Sequence, residues 1–232
     1  MATFEFDHVT VSIRKNTILN QVRFSLESGG ITALIGHNGA GKSTIMKAIL
    51  GLVPIDQGSI QLAGVNQVDD GLAFKSNLSY IPEEPFLLSE LTVQQHFQLY
   101  AESYQIDTED AERLIDYYTQ ALEISDKRDD YPESLSKGMR QKVQTICALL
   151  PKVKLILVDE PFMGLDIYAS DFLMKELKRK VQEEDAMVLL TTHQLDRLTD
   201  LTDHYIMLQQ GEIIDQGKME DFSYLKRRFE ES

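Results

Sequence analysis

The feature that most constrains the fold of this chain is a glycine-rich segment close to residue 40, which fits the pattern G-x-x-x-x-G-K-[ST]. Its residues, in order, are Gly36, His37, Asn38, Gly39, Ala40, Gly41, Lys42, Ser43 and Thr44. An apolar run at 31–35 predicts a buried strand before it, and Ile45 and Ile49 predict a helix after it. A strand, a glycine loop and a helix in this order point backbone N–H groups at a phosphate, which predicts a phosphate-binding loop.

The chemistry of this loop depends on Lys42 and Ser43. Lys42 can reach the β- and γ-phosphates of a nucleoside triphosphate, and Ser43 can offer its hydroxyl to Mg²⁺. A pair of unit charges near 4 Å is worth roughly 4 kcal/mol at the effective dielectric of a protein surface. The loop therefore predicts a bound nucleoside triphosphate, without indicating how its energy is used.

Composition narrows the class of protein. The chain has 232 residues and a formal net charge of −14, which suits one sizeable domain and disfavours nucleic acid as the main partner. Its single cysteine, Cys147, lies in an apolar stretch and is expected to be a small buried side chain. No signal peptide and no apolar run of ~20 residues is present. We therefore expect a protein that is soluble alone and suits a reducing cytoplasm, and any membrane role must come through a partner.

Hydropathy patterns predict both sheet types and a helical insertion. Alternation through residues 3–27 is typical of antiparallel strands with one solvent-exposed face, and residues 58–64 predict another strand, bounded by glycines. Apolar residues recur at helical spacing between 91 and 150. Unbroken apolar runs at 155–158 and 187–190 are typical of parallel strands that are buried on both faces.

Two acidic residues, Asp159 and Glu160, follow the strand predicted at 155–158. Open α/β sheets bind ligands at the carboxyl ends of their strands, so these carboxylates are expected beside the phosphate loop in a Walker B arrangement. Asp159 can hold Mg²⁺ there, and Glu160 can orient or deprotonate a water. The alternative is that both only cap the turn before Pro161; the loop upstream favours the functional interpretation.

Further segments carry a resemblance to a known family. Residues 135–142, Leu-Ser-Lys-Gly-Met-Arg-Gln-Lys, resemble the signature of ATP-binding cassette (ABC) proteins, usually written LSGGQ. Gly164-Leu165-Asp166 resembles the D-loop of that family, and His193 resembles its switch histidine. Five motifs in the family's order cover essentially the whole chain. It is similar to the ATP-binding subunits of ABC transporters, in particular bacterial exporter-class ATPases of the Ecs type.

The resemblance implies an α/β fold with a P-loop NTPase (RecA-like) core and a mostly parallel sheet, an N-terminal antiparallel β-subdomain and an inserted α-helical subdomain. The whole chain, 1–232, is expected to be a single ABC ATPase domain. Its predicted parts are an antiparallel β-subdomain at about 1–30 and 55–80, an ATP-binding core at 31–54 and 151–205, a helical subdomain with the signature at 84–150, and a C-terminal hairpin and helix at 206–232.

The resemblance also implies a mechanism. ATP bound to the loop of one subunit is covered by Ser136 and Gly138 of a second, so that ATP holds the pair together. Glu160, His193 and Lys42 are the expected catalytic residues. The partners are a second ATPase subunit, most simply an identical one although a different one stays open, and an integral membrane permease docked beside the residues after Glu83. The cargo is not indicated.

Three positions depart from the family's pattern. Glu83 stands where a glutamine is usual; its carboxylate can still ligate Mg²⁺, together with Ser43 and Asp159, but cannot donate a hydrogen bond when ionised. Lys137 and Met139 replace a glycine and a glutamine of the signature. The place of an adenine-stacking aromatic falls near residues 13–14, which are Ile and Arg.

Two rival functions stay open. One is a soluble ABC-type ATPase that is not coupled to transport, such as a cluster-assembly ATPase. The other is a P-loop kinase outside the family, which would leave the signature unexplained.

Overall fold

The computed structural model describes residues 3–160, 163–192 and 201–222. The predicted switch histidine, His193, lies outside these ranges, as do residues 161–162 and the end of the predicted C-terminal helix. Within the described ranges, no helix has both the length and the apolar character that crossing a bilayer requires.

Four strands form an antiparallel sheet in the order β2–β1–β4–β5. They are β1 (Thr3–Ile13), β2 (Asn16–Glu27), β4 (Gln57–Leu62) and β5 (Val65–Asn66). Buried and exposed residues alternate along much of β1 and β2, as the sequence predicts for strands with one wet face. The connecting turn at Arg14 and Lys15 has positive φ angles of 49° and 69°.

A second sheet has the strand order β10–β9–β3–β8–β7–β6. Its strands are β3 (Ile31–Ile35), β6 (Leu78–Ile81), β7 (Leu155–Asp159), β8 (Met187–Thr191), β9 (His204–Gln209) and β10 (Glu212–Lys218). All neighbouring pairs are parallel except β9 and β10, which form a hairpin at the edge. This sheet confirms the predicted α/β fold with a mostly parallel sheet.

Two predicted boundaries differ from the strand pairing. A β-subdomain that ends at residue 80 would cut through β6, whose pairing with β7 places it in the six-stranded sheet. The hairpin predicted as a separate C-terminal part also belongs to that sheet, because β9 pairs with β3. Short apolar runs do not state which neighbour they pair with, so the sequence could not resolve either point.

Helices pack on both faces of the six-stranded sheet, and one of them follows the phosphate loop directly. They are α1 (Lys42–Ile49), α2 (Gly71–Lys75), α3 (Val93–Ser103), α4 (Thr108–Ala121), α5 (Lys137–Leu149) and α6 (Ile167–Glu184). Two short 3-10 segments, Ser125–Lys127 and Pro132–Ser134, connect α4 to α5.

The six-stranded sheet separates two hydrophobic cores. Along β7, Ile156 and Val158 face the core formed with α3 to α6. Leu155 and Leu157 face the opposite core, which includes α1 and the antiparallel sheet. Burial on both faces is the physical reason for the unbroken apolar run in this strand. Cys147 lies fully inside the helical core, where burial raises the pKa of its thiol.

A buried polar contact fastens α4 to α6. The Tyr118 hydroxyl donates a 2.7 Å hydrogen bond to Oε1 of Glu176, whose residue is only 3% exposed. The Arg179 guanidinium donates to the same carboxylate at 2.7 to 3.1 Å. Burial would raise the pKa of Glu176, but these hydrogen bonds from Arg179 and Tyr118 lower it below its ordinary value. The helical insertion is therefore joined to α6 by a charged, largely dehydrated contact.

We expect Tyr118→Phe to destabilise the protein by roughly 1.5 kcal/mol or more, because the buried Glu176 carboxylate loses a hydrogen-bond donor. The measurement is the free energy of unfolding in urea. Tyr117→Phe is the matched control, since Tyr117 is the exposed neighbour on the same helix. Equal unfolding free energies for the two variants would contradict this description of the α4–α6 contact.

Candidate functional site

The N-terminus of α1 differs from those of α2 to α6, the other α-helices given above. Helices α2 to α6 each begin at a residue whose side chain accepts a hydrogen bond from the first turn. Helix α1 begins after Gly41, at φ 113°, with no side-chain cap and no acidic residue in its first turn. Its positive end is therefore open to an anion, as a phosphate-binding loop requires.

The hairpin β9–β10 braces the loop that precedes α1. The Gly211 N–H donates to the carbonyl oxygen of Ala40 at 2.9 Å. A Cβ atom added to Gly36 would lie 2.4 Å from the carbonyl oxygen of Leu208, so no side chain fits at that position. The three residues His37, Asn38 and Gly39 at the tip are exposed. The backbone of the loop thus faces solvent where a phosphate can approach.

Lys42 is folded back over this loop. Its Nζ donates to the carbonyl oxygens of Gly36 at 2.6 Å and His37 at 3.3 Å, and the residue is only 7% exposed. Burial lowers the pKa of Lys42, while the charges of Glu160 and Asp159 oppose that change. The ammonium group therefore lies within the electrostatic field of both predicted carboxylates.

Strand register explains why these charges meet. Thr191, the last residue of β8, pairs with Leu34 of β3 on one side and with Asp159 of β7 on the other. The phosphate loop begins just after β3 ends at Ile35, and Glu160 directly follows the end of β7. Both therefore lie at the same edge of the sheet. Residues more than 115 positions apart in the sequence are brought together because parallel strands end on the same side of the sheet.

Asp159 and Glu160 are held by neighbours that the sequence analysis did not single out. The Thr191 hydroxyl donates to Oδ1 of Asp159 at 2.5 Å, and the Tyr80 hydroxyl donates to Oδ2 at 3.4 Å. Glu160 is 8% exposed and has a positive φ of 48°. Burial and the nearby Asp159 and Glu83 raise the pKa of Tyr80. Both residues lie at or next to the carboxyl end of a buried strand, and this position in the sequence is the feature that could have identified them as site residues.

The predicted signature residues lie elsewhere in the chain's fold. Ser136 caps α5, where its hydroxyl oxygen accepts from the Met139 N–H at 3.2 Å. A Cβ atom on Gly138 would lie 3.0 Å from the carbonyl oxygen of Gly164, so helix α5 packs closely on the D-loop segment. In the described part of the chain, no hydrogen bond or ion pair joins Ser136 or Gly138 to the loop at 36–44.

The D-loop segment is tied to α5 by charge. Asp166 caps α6 by accepting from the Ala169 N–H at 2.8 Å, and its carboxylate forms an ion pair with Lys142 at 2.9 Å. Hydrogen bonds from the Ala169 N–H and from Lys142 lower the pKa of Asp166. The carboxylate therefore stays ionised and keeps the start of α6 attached to α5.

The segment after β6 is also attached to α5. Gln141 donates through Nε2 to the carbonyl oxygen of Pro82 at 2.9 Å, and Gln144 accepts from the Phe86 N–H at 2.9 Å. Lys137, the unusual signature residue, forms an ion pair with Glu84 at 2.6 Å. Glu83 itself is exposed. The predicted partner-docking segment thus contacts the signature helix directly.

The described residues hold no group of three or more His, Cys, Asp and Glu side chains that could bind a metal ion by themselves. The predicted metal ligands are instead one hydroxyl, Ser43, and the carboxylates Asp159 and Glu83. A hard cation such as Mg²⁺ commonly takes one or two protein ligands and completes its shell with phosphate and water.

Comparison with known proteins supports a family assignment. Residues 19–163 match the profile of the family described as "ABC transporter". The chain is 35% identical over 221 residues to the ABC-type transporter ATP-binding protein EcsA of Bacillus subtilis (strain 168), covering 95% of this chain and 89% of EcsA.

Two solved structures are also similar to this chain. A structure described as the ATP binding subunit of an ABC transporter has a TM-score of 0.91 and 32% identity, covering 97% of this chain and 92% of that one. A dimeric post-hydrolysis state of the ATP-binding cassette MJ0796, bound to ADP and Pi, shares the fold with a TM-score of 0.81 at 21% identity, covering 93% and 98%. The chain belongs to the ABC transporter family and is one of its ATPase domains.

Proposed function

We propose that this chain is the subunit that binds and hydrolyses ATP to drive a separate membrane permease. The observation that carries the proposal is geometric: the Lys42 ammonium is held in a glycine loop that follows β3, and β7 ends at Asp159 on the same edge of the sheet. A cation aimed at phosphate, an uncapped helix N-terminus and an adjacent buried carboxylate are the parts that phosphoryl transfer to water needs.

Each residue has a role in this proposal. Lys42 and the backbone of 36–44 bind the phosphates of ATP, and Ser43 and Asp159 hold Mg²⁺, with Glu83 as a further oxygen ligand. Glu160 orients the attacking water and accepts its proton. When bound, Mg²⁺ would neutralise phosphate charge. His193 lies outside the described residues, and its contact with the γ-phosphate rests on the family resemblance alone.

The position of the signature residues supports a site that a second copy completes. Ser136 caps α5 and Gly138 packs closely on Gly164 of the D-loop segment, and among the described residues neither bonds to the chain's own phosphate loop. A helix N-terminus suits an anion, so this one can cover the γ-phosphate of ATP bound to a second subunit. The MJ0796 cassette, which shares this fold, is dimeric with ADP and Pi bound, which supports pairing of two copies. We propose a homodimer that forms on ATP binding.

Coupling to a permease is supported by the surface after β6. The Phe86 side chain is 86% exposed, although its backbone N–H is bonded to Gln144 in α5. A partner that packs against this ring would therefore act on the helix that carries Ser136 and Gly138. We further propose that the chain lies peripherally on the inner face of the cell membrane, held there by the permease. Export is proposed from the similarity to Ecs-type ATPases.

We expect Lys42→Ala to weaken ATP binding by about 10²-fold or more, because a charge–phosphate interaction of roughly 4 kcal/mol is lost. Isothermal titration calorimetry with Mg-ATP is the measurement. Lys47→Ala is the matched control, since Lys47 is an exposed lysine in the last turn of the same helix. Wild-type affinity in Lys42→Ala would disprove the assignment of the phosphate loop.

Glu160→Gln is expected to retain ATP binding while the hydrolysis rate falls by about 10²-fold or more, because the general base is lost and the shape is kept. Phosphate release under saturating Mg-ATP is the measurement. Glu102→Gln, an exposed position on α3, controls for the change of charge. If Glu160→Gln turns over at the wild-type rate, a different residue is the base.

A further inference from the structure

We propose that Thr191 is a positioning residue that holds Asp159 and Glu160 in their working arrangement through its side-chain hydroxyl. This inference rests on the proposed roles of the two carboxylates. Thr191 is the fully buried last residue of β8, the strand between the phosphate-loop strand and the strand that ends at Asp159.

The contacts of Thr191 link the two acidic residues to each other. Its Oγ1 hydroxyl donates to Oδ1 of Asp159 at 2.5 Å. The same oxygen accepts from the backbone N–H of Glu160 at 3.2 Å, and the Thr191 carbonyl oxygen also accepts from this N–H at 3.2 Å. One side chain therefore contacts the proposed metal ligand and the backbone of the proposed base together.

The chemistry of this position calls for a hydroxyl. An ionised carboxylate only accepts hydrogen bonds, and a backbone N–H only donates them. A hydroxyl can do both at once, whereas valine, which has the same shape, can do neither. The choice of Thr over Val at the end of an otherwise apolar strand thus has a specific consequence for Asp159 and Glu160.

Backbone geometry gives an independent reason for the contact. Glu160 has a φ of 48°, a region that non-glycine residues seldom occupy and that costs of order 1 kcal/mol or more. Its N–H is shared between the two oxygens of Thr191, which stabilises this conformation and sets the direction in which the side chain leaves β7. Removing the hydroxyl would take away one of these two acceptors.

The other donor to Asp159 cannot replace Thr191. Among the described residues, Tyr80 also donates to this carboxylate, but at 3.4 Å and to the opposite oxygen, Oδ2. A contact of that length is weak, so the orientation of the Asp159 carboxylate depends mainly on Thr191. Residues that orient a metal ligand typically contribute about 10- to 100-fold to metal affinity or activity.

The test compares Thr191→Val with Thr191→Ser, which keeps the hydroxyl, and with Thr145→Val. Thr145 is the matched control, because its hydroxyl is buried in α5 without a hydrogen-bond partner. Binding of a fluorescent ATP analogue is measured with Mg²⁺ and with EDTA, and the ratio of the two affinities gives the Mg²⁺-dependent gain. Hydrolysis rates are measured in parallel, and thermal melting identifies variants that fold.

We expect Thr191→Val to reduce both the Mg²⁺-dependent gain and the hydrolysis rate by about 10-fold or more, with binding in EDTA unchanged. Thr191→Ser and Thr145→Val should retain both. If Thr191→Val does not fold, Thr191→Ala, which also lacks the hydroxyl and is smaller, is expected to show the same losses. A hydroxyl-free variant with a wild-type gain and rate would overturn the proposal, as would a Thr191→Ser variant that loses both.

Asp159→Asn separates this inference from the proposed function. If Asp159→Asn loses the Mg²⁺-dependent gain while folded Thr191→Val keeps it, the positioning role is wrong and the metal role of Asp159 stands. If Asp159→Asn keeps the gain as well, the proposed metal site itself is wrong, and the inference about Thr191 fails with it.

Discussion

The charged groups of the candidate site are arranged around one buried ammonium group, that of Lys42. Lys42 is only 7% exposed, and its Nζ is held by the carbonyl oxygens of Gly36 and His37. Burying a charge is costly unless it is paired, and these carbonyls stabilise the ammonium, while the charges of Glu160 and Asp159 oppose the lowering of its pKa by burial. The parallel sheet provides that surrounding because β3, β8 and β7 end side by side. Nucleotide phosphates would add to a set of charges that the fold has already brought together.

Helix α5 connects this centre to surfaces where partners can act. Its first turn carries Ser136 and Gly138, and its later residues bond the segment after β6 and the start of α6. The Lys137–Glu84 ion pair adds a contact at a position where the family has glycine. Exposed ion pairs contribute at most about 1 kcal/mol, so this pair adjusts the position of the segment rather than fixing it. The physical link between the docking segment and the signature is mainly the two glutamine contacts, which are better shielded from water.

Most of the fold could be predicted from the sequence because its signals are local. The loop, the alternating strands and the unbroken apolar runs each reflect burial of their own residues, and the motif order indicated the family. What could not be predicted depends on pairing between distant residues. The placement of β6 required its contact with β7, and the buried Tyr118–Glu176 contact joins two helices with no shared motif. Thr191 was missed because a threonine in a strand is ordinarily explained by its preference for β structure.

The central claim is that two copies of this chain share ATP between the phosphate loop of one and the signature of the other. Light scattering of purified Glu160→Gln, with and without Mg-ATP, tests it most directly, since this variant is expected to bind ATP without hydrolysing it. The account predicts a monomer that becomes a dimer when Mg-ATP is added, and Lys42→Ala should remain monomeric under the same conditions. A Glu160→Gln protein that is saturated with Mg-ATP and stays monomeric would contradict the claim that Ser136 and Gly138 of a second copy complete the site.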